Sequence, residues 1–209
     1  MDNMDNMDNM DNIDRVFEIY DKYGGEGYIG EKVTQLEHAT QAALLAEDHL
    51  KTVATAINPK MVILGAFLHD IGHLLVFEEF PDLELMGNVG VKHHEEIGAY
   101  FLKKLGFPFE VCELVRNHIN TKRFLITINS EYYDKLSSAS KETFNYQGGE
   151  MSREELINFN KDDLFPWHLK LRRWDDMAKS TEPNLIKKIK EMNPTKYYKD
   201  MARQIFDSI

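Results

Sequence analysis

Apolar residues recur at helical spacing through most of the chain, and the densest run lies between Met61 and Val76. Within it only His69, Asp70 and His73 are titratable. Asn58 and Pro59 read as an N-cap and first helical residue, so the run predicts a buried helix rather than a strand. At about 100° per residue, His69 and His73 share a face with Asp70 beside it. Upstream, Ile13, Val16, Phe17 and Tyr20 follow the same period until Gly24-Gly25. Residues 35–50 are rich in Ala, Leu, Glu and Gln and carry His38 in the first turns. Downstream, residues 91–105 predict a helix with His94, Ile97 and Phe101 inward and His93 turned away, closed by Gly106. Residues 109–120 place Val111, Leu114, Val115 and His118 on one stripe. Residues 167–179 turn Leu171, Trp174 and Ala178 inward with Asp175 beside them, and Asn193-Pro194 opens a last helix to about residue 206.

Between these elements the pattern weakens. Gly27 to Glu31 reads as a glycine-flanked loop, residues 77–89 as an acidic loop, and residues 129–165 as polar and irregular. That last segment contains a turn at Gln147-Gly148-Gly149 and a short helix capped by Ser152 and Glu155. Residues 1–12 repeat Met-Asp-Asn four times, a polar period of three that predicts a disordered tail. No alternating strand is found, so the chain reads as all-α, a bundle of about seven to nine helices in one domain over residues 13–209.

Composition narrows the partners. The net charge of -10 disfavours a nucleic-acid or anionic-membrane surface, though Lys122-Arg123 and Arg172-Arg173 gather positive charge locally. No apolar run approaches membrane-spanning length and no signal peptide opens the chain. The single cysteine, Cys112, reads as a core residue and suits a reducing, cytoplasmic setting.

The inward-facing titratable residues on the predicted helices are His38, His69, Asp70, His94, His118 and Asp175. Four imidazoles and two carboxylates suit two transition-metal ions, and the absence of thiolates points to iron, manganese or a similar metal rather than a structural zinc knot. Asp70, next to His69, could bridge both ions.

The order His, His-Asp, His, His, Asp resembles the HD-domain superfamily in its two-metal branch. A fuller match is to the 2-amino-1-hydroxyethylphosphonate dioxygenase group of mixed-valent di-iron oxygenases. It rests on Tyr28-Ile29-Gly30-Glu31, Gln35-Leu36-Glu37-His38, Leu68-His69-Asp70-Ile71-Gly72-His73, His94-Glu95, His118 with Lys122-Arg123, Ser138-Ala139-Ser140, Tyr146-Gln147-Gly148-Gly149 and Arg172-Arg173-Trp174-Asp175. The resemblance implies cleavage of a carbon–phosphorus bond of a small hydroxyphosphonate by O2 at two iron ions, Fe2+/Fe3+. It assigns His38, His69, Asp70 and Asp175 to one iron, and His94, His118 and bridging Asp70 to the other. His73, Lys122, Ser140 and Arg172 would contact the phosphonate, and Tyr28 and Glu31 would move to receive a substrate amino group. The alternative within the superfamily is metal-dependent hydrolysis of nucleotides or phosphate esters. Many such hydrolases carry lysine where this chain has His73. A non-catalytic phospho-ligand sensor on the same fold is a third reading.

Overall fold

The computed structural model describes the backbone of residues 2–28 and 30–209, and side chains from Met10 onward; Met1 and Ile29 lie outside the described residues. Among the described residues eleven α-helices follow in order: α1 (Asp2–Tyr23), α2 (Gln35–Leu50), α3 (Pro59–Leu68), α4 (His94–Lys104), α5 (Phe109–Ile128), α6 (Ser130–Lys135), α7 (Ser138–Tyr146), α8 (Arg153–Phe159), α9 (Phe165–Met177), α10 (Pro183–Met192) and α11 (Pro194–Phe206). Two 3-10 turns, Ile71–His73 and Leu75–Phe77, follow α3. Among the described residues β structure is limited to two isolated bridges, so the molecule is all-α as expected, with a helix count above the expected range. No helix among them is long and apolar enough to cross a membrane.

The centre is α3. Asn58 accepts the Lys60 N–H as N-cap with Pro59 behind it, and every residue from Met61 to Leu68 is buried. It packs against α2, α5, α9 and α11. A helix apolar all round can be stable only when surrounded in this way.

The run does not continue as one helix to Val76. The carbonyls of Ala66 and Phe67 would serve residues 70 and 71 in a longer helix. Instead Ala66 accepts from His69 Nδ1 at 2.8 Å and Phe67 from the Tyr20 hydroxyl at 3.1 Å. The helix therefore stops at Leu68, and His73 falls in a 3-10 turn, off the helical phase that put it on the face of His69. That turn lies against α4. A Cβ on Gly72 would sit 2.0 Å from the His94 carbonyl oxygen, so only glycine allows the approach.

Other boundaries also differ. The helix expected from residue 91 starts at His94, after His93 at φ 58. The one expected to end near Asn120 runs to Ile128, so Lys122 and Arg123 are interior to α5 and its C-terminal dipole does not account for them. The segment read as irregular forms α6, α7 and α8, with the Ser152/Glu155 capping box in place. No signal was read for α10. The Met-Asp-Asn repeat, expected to be disordered, has helical backbone as the first half of α1. Helix propagates cooperatively from the turns anchored by buried Ile13, Val16 and Phe17, so it extends into residues of poor intrinsic propensity.

Because the contact at Gly72 is with backbone, Gly72→Ala is expected to lower stability by about 2 kcal/mol or more. Urea unfolding would show this as a lower midpoint at unchanged m. A midpoint equal to that of the parent would mean that the turn does not rest on α4.

Candidate metal centre and active site

The six expected ligands converge. α2 brings His38, the end of α3 brings His69 and Asp70, α4 and α5 bring His94 and His118, and α9 brings Asp175. All six are buried. They form two groups, His38, His69 and Asp175 on one side and Asp70, His94 and His118 on the other. Asp70 joins the two. Its Oδ2 lies 3.5 and 3.3 Å from the Nε2 atoms of His38 and His69, and its Oδ1 lies 3.4 and 3.2 Å from those of His94 and His118.

The tautomers follow from the backbone. Nδ1 of His38, His69, His94 and His118 faces the carbonyl of Ala178, Ala66, Val91 and Val115 at 3.0, 2.8, 3.2 and 2.7 Å. A carbonyl only accepts, so each Nδ1 carries the proton, and each neutral ring turns a bare Nε2 lone pair to the centre. The Nε2 atoms meet in pairs, His38 with His69 at 3.1 Å and His94 with His118 at 3.0 Å. Lone pairs at that separation repel unless a cation or a proton lies between them. The donor set therefore fits two metal ions bridged by a carboxylate. Burial acts most strongly on His69 and lowers it, but Asp70 and Asp175 raise it to about 9, whereas burial and His69 push His38 down to about 4. Burial works against ionised Asp175, and Arg172 with His69 overrides it and holds the carboxyl below its ordinary range.

A cavity opens beside the Asp70 bridge, lined by Tyr28, His73, Lys122, Ser140 and Arg172 among others. Lys122 is 2% exposed, and its Nζ donates to Thr143 Oγ1 at 3.0 Å, to Gln147 Oε1 and, at 3.4 Å, to the Ser140 carbonyl. These acceptors are all neutral. Burial, with the neighbouring charge of Arg172, lowers the ammonium to about 7. His73 stacks on His94 at 3.8 Å and accepts the Val91 N–H at Nδ1, so a neutral His73 carries its proton on Nε2. Burial and the facing His94 keep it well below its ordinary value. Tyr28 stacks on His38 at 3.8 Å and 12°. Burial, then Asp70 and Asp175, hold its hydroxyl protonated.

Arg172 lines the cavity with much of its guanidinium committed. NH1 lies 2.8 Å from Asp175 Oδ2, NH2 donates to Asp176, and Nε donates to the Tyr132 hydroxyl at 2.9 Å. Tyr132 in turn donates to Asp176 Oδ2 at 2.6 Å. Glu31 does not line the cavity; it pairs with Lys179 at 3.1 Å. His168, which shares a helical face with Arg172 and Asp175, is buried beside Asp162 and Phe159 instead. Reading by sequence passed over Thr143, Tyr132, Asp176 and Lys179, and quoted Gln147 in a turn and a family motif without a role. Asp176 was within reach, because spacings of three and four put Asp175 and Asp176 both beside Arg172. Tyr132 lies on a helix that periodicity did not show.

Comparison with known proteins agrees with this geometry. The HD domain family matches residues 35–201. An uncharacterized protein of Acanthamoeba polyphaga mimivirus is 40% identical over 180 residues, covering 86% of this chain and 75% of its own. The [1-hydroxy-2-(trimethylamino)ethyl]phosphonate dioxygenase (glycine-betaine-forming) of Leisingera caerulea is 36% identical over 159 residues, 76% of each chain. The hydroxymethylphosphonate dioxygenase of Gimesia maris is 37% identical over 155 residues, 74% of this chain and 72% of its own. With a family match across most of its length and the family's histidines and aspartates gathered at one centre, this chain belongs to the HD-domain family.

Proposed function

We propose that this chain is a di-iron oxygenase that uses O2 to cleave the carbon–phosphorus bond of a 1-hydroxyalkylphosphonate. The first candidate substrate is 2-amino-1-hydroxyethylphosphonate, which would give glycine and phosphate. The atoms balance: one oxygen of O2 enters the carboxylate and the other the phosphate. Identity to two relatives named for hydroxyalkylphosphonates supports the substrate class. The observation that carries the reading is a two-ion ligand set beside a buried ammonium, Lys122, whose described partners are all neutral. Its charge meets no carboxylate, and an anion that replaces the long contact to the Ser140 carbonyl would pair with it.

In this reading His38, His69 and Asp175 would hold one iron, His94 and His118 the other, and Asp70 would serve both. The ions would supply O2 binding and one-electron chemistry. Lys122, the Nε2–H of His73 and the Ser140 hydroxyl hydrogen-bond the phosphonate oxygens. Arg172 fixes Asp175 and adds positive field from behind. Tyr28 covers His38 and excludes water from the cavity until substrate enters. A single small substrate, O2 and no macromolecular partner are required, and the setting is cytoplasmic.

The test is phosphate release from 2-amino-1-hydroxyethylphosphonate and related hydroxyphosphonates by iron-loaded protein, with and without O2. Release only with O2 is expected. Turnover of phosphate esters in its absence would assign the site to hydrolysis instead. A second outcome concerns Lys122. The free ammonium loses its proton above about pH 7, and a bound dianion restores it, so anaerobic phosphonate affinity should fall by up to about tenfold per pH unit above 7. Lys122→Gln should weaken binding by about 10- to 100-fold at pH 7 and flatten this slope in calorimetric titrations. A parent slope no steeper than the variant's would exclude Lys122 from contact with the anion.

A further inference from the structure

Beside the cavity stands an ion pair that the reaction as described leaves unused. Lys179, just beyond the end of α9, reaches Glu31 Oε1 at 3.1 Å and Ser137 Oγ, the N-cap of α7, at 3.4 Å. Its Nζ also lies 5.8 Å from the centroid of the Tyr28 ring. Lys179 thus ties the loop bearing Tyr28 and Glu31 to two helices of the cavity wall. The loop lies close against α7. Gly30 has φ 74, and a Cβ there would come within 2.9 Å of the Ala139 Cβ. Ala139 and Tyr28 both line the cavity, so Glu31 follows directly on residues packed at its wall while its carboxylate is held outside the lining by Lys179.

A carboxylate that close to the cavity wall, if free, would attract a cationic group on the substrate carbon remote from phosphorus. Here that charge is already neutralised from within the chain. We propose that Lys179 is a specificity-determining residue, occupying Glu31 as an internal substitute for a substrate ammonium and so setting how strongly the site favours ammonium-bearing over neutral phosphonates. This rests on the phosphonate reading above. An incoming ammonium must displace Lys179 or share Glu31 with it at the cost of like-charge repulsion. A neutral side arm has neither effect. Removing Lys179 leaves Glu31 for the ligand alone.

The experiment uses the full-length, metal-loaded protein without O2 and measures by calorimetry the dissociation constants of 2-aminoethylphosphonate and propylphosphonate. The pair is matched in shape and differs in charge. The ratio of the two constants is the readout, since a general weakening of the loop moves both alike. Lys179→Met is expected to shift the ratio toward the ammonium ligand by about tenfold or more, and Lys179→Arg to keep the parent ratio. A ratio in Lys179→Met equal to the parent's overturns the proposal, as does failure of both ligands to bind the parent protein. Binding with the expected shift but no oxygen-dependent turnover of hydroxyphosphonates would sustain the role of Lys179 while removing the oxygenase reading.

Discussion

Lone pairs crowded in a dry interior repel, and that electrostatic constraint governs how this bundle is put together. Each ligand imidazole is fixed through its Nδ1 by a backbone carbonyl, which leaves its Nε2 no partner except its neighbours at the centre. Asp70 concentrates the constraint, because each of its oxygens faces a different pair of imidazoles. Positive charge at the centre turns these repulsions into bonds. The same carboxylates, Asp70 and Asp175, raise the His69 imidazole above its usual range although burial opposes that charge.

The surrounding helices serve that placement. Asp70 leaves the chain where α3 stops, and the stop is made by Tyr20 and His69 taking two helical carbonyls. Gly72 then lets the turn lie against the carbonyl of His94, which brings the second imidazole pair within reach of Asp70. Beyond the ligands, charge is layered. Arg172 compensates Asp175 and is itself steadied by Asp176 and Tyr132, whereas Lys122 has hydroxyl and carbonyl acceptors but no carboxylate among its described partners. One cation thus balances the Asp175 carboxylate, and the other has only neutral hydrogen-bond acceptors.

Much of this was legible in the sequence, for a physical reason. A histidine at helical phase with buried apolar residues points inward, so His94 and His118 could be placed from periodicity, and His69-Asp70 from the apolar run around them, whereas His38 by itself read as an ordinary core or surface residue. Helix ends set by tertiary contacts were not legible. Nothing near Leu68 breaks a helix by itself; the Tyr20 hydroxyl that helps to end it comes from 47 residues away. The helices α6 and α7 were hidden because polar residues on them bond across the fold, Tyr132 to Asp176 and Thr143 to Lys122. The pairing of Glu31 with Lys179 joins residues 148 apart, and no local pattern reports it.

The most direct test of the account is the metal stoichiometry and magnetic coupling of the protein loaded anaerobically with iron, beside Asp70→Ala. Two ions per chain are expected in the parent, with a coupled paramagnetic signal on partial oxidation, and loss of that coupling in the variant. One isolated ion per chain in the parent, or a coupled pair that survives removal of Asp70, would contradict it.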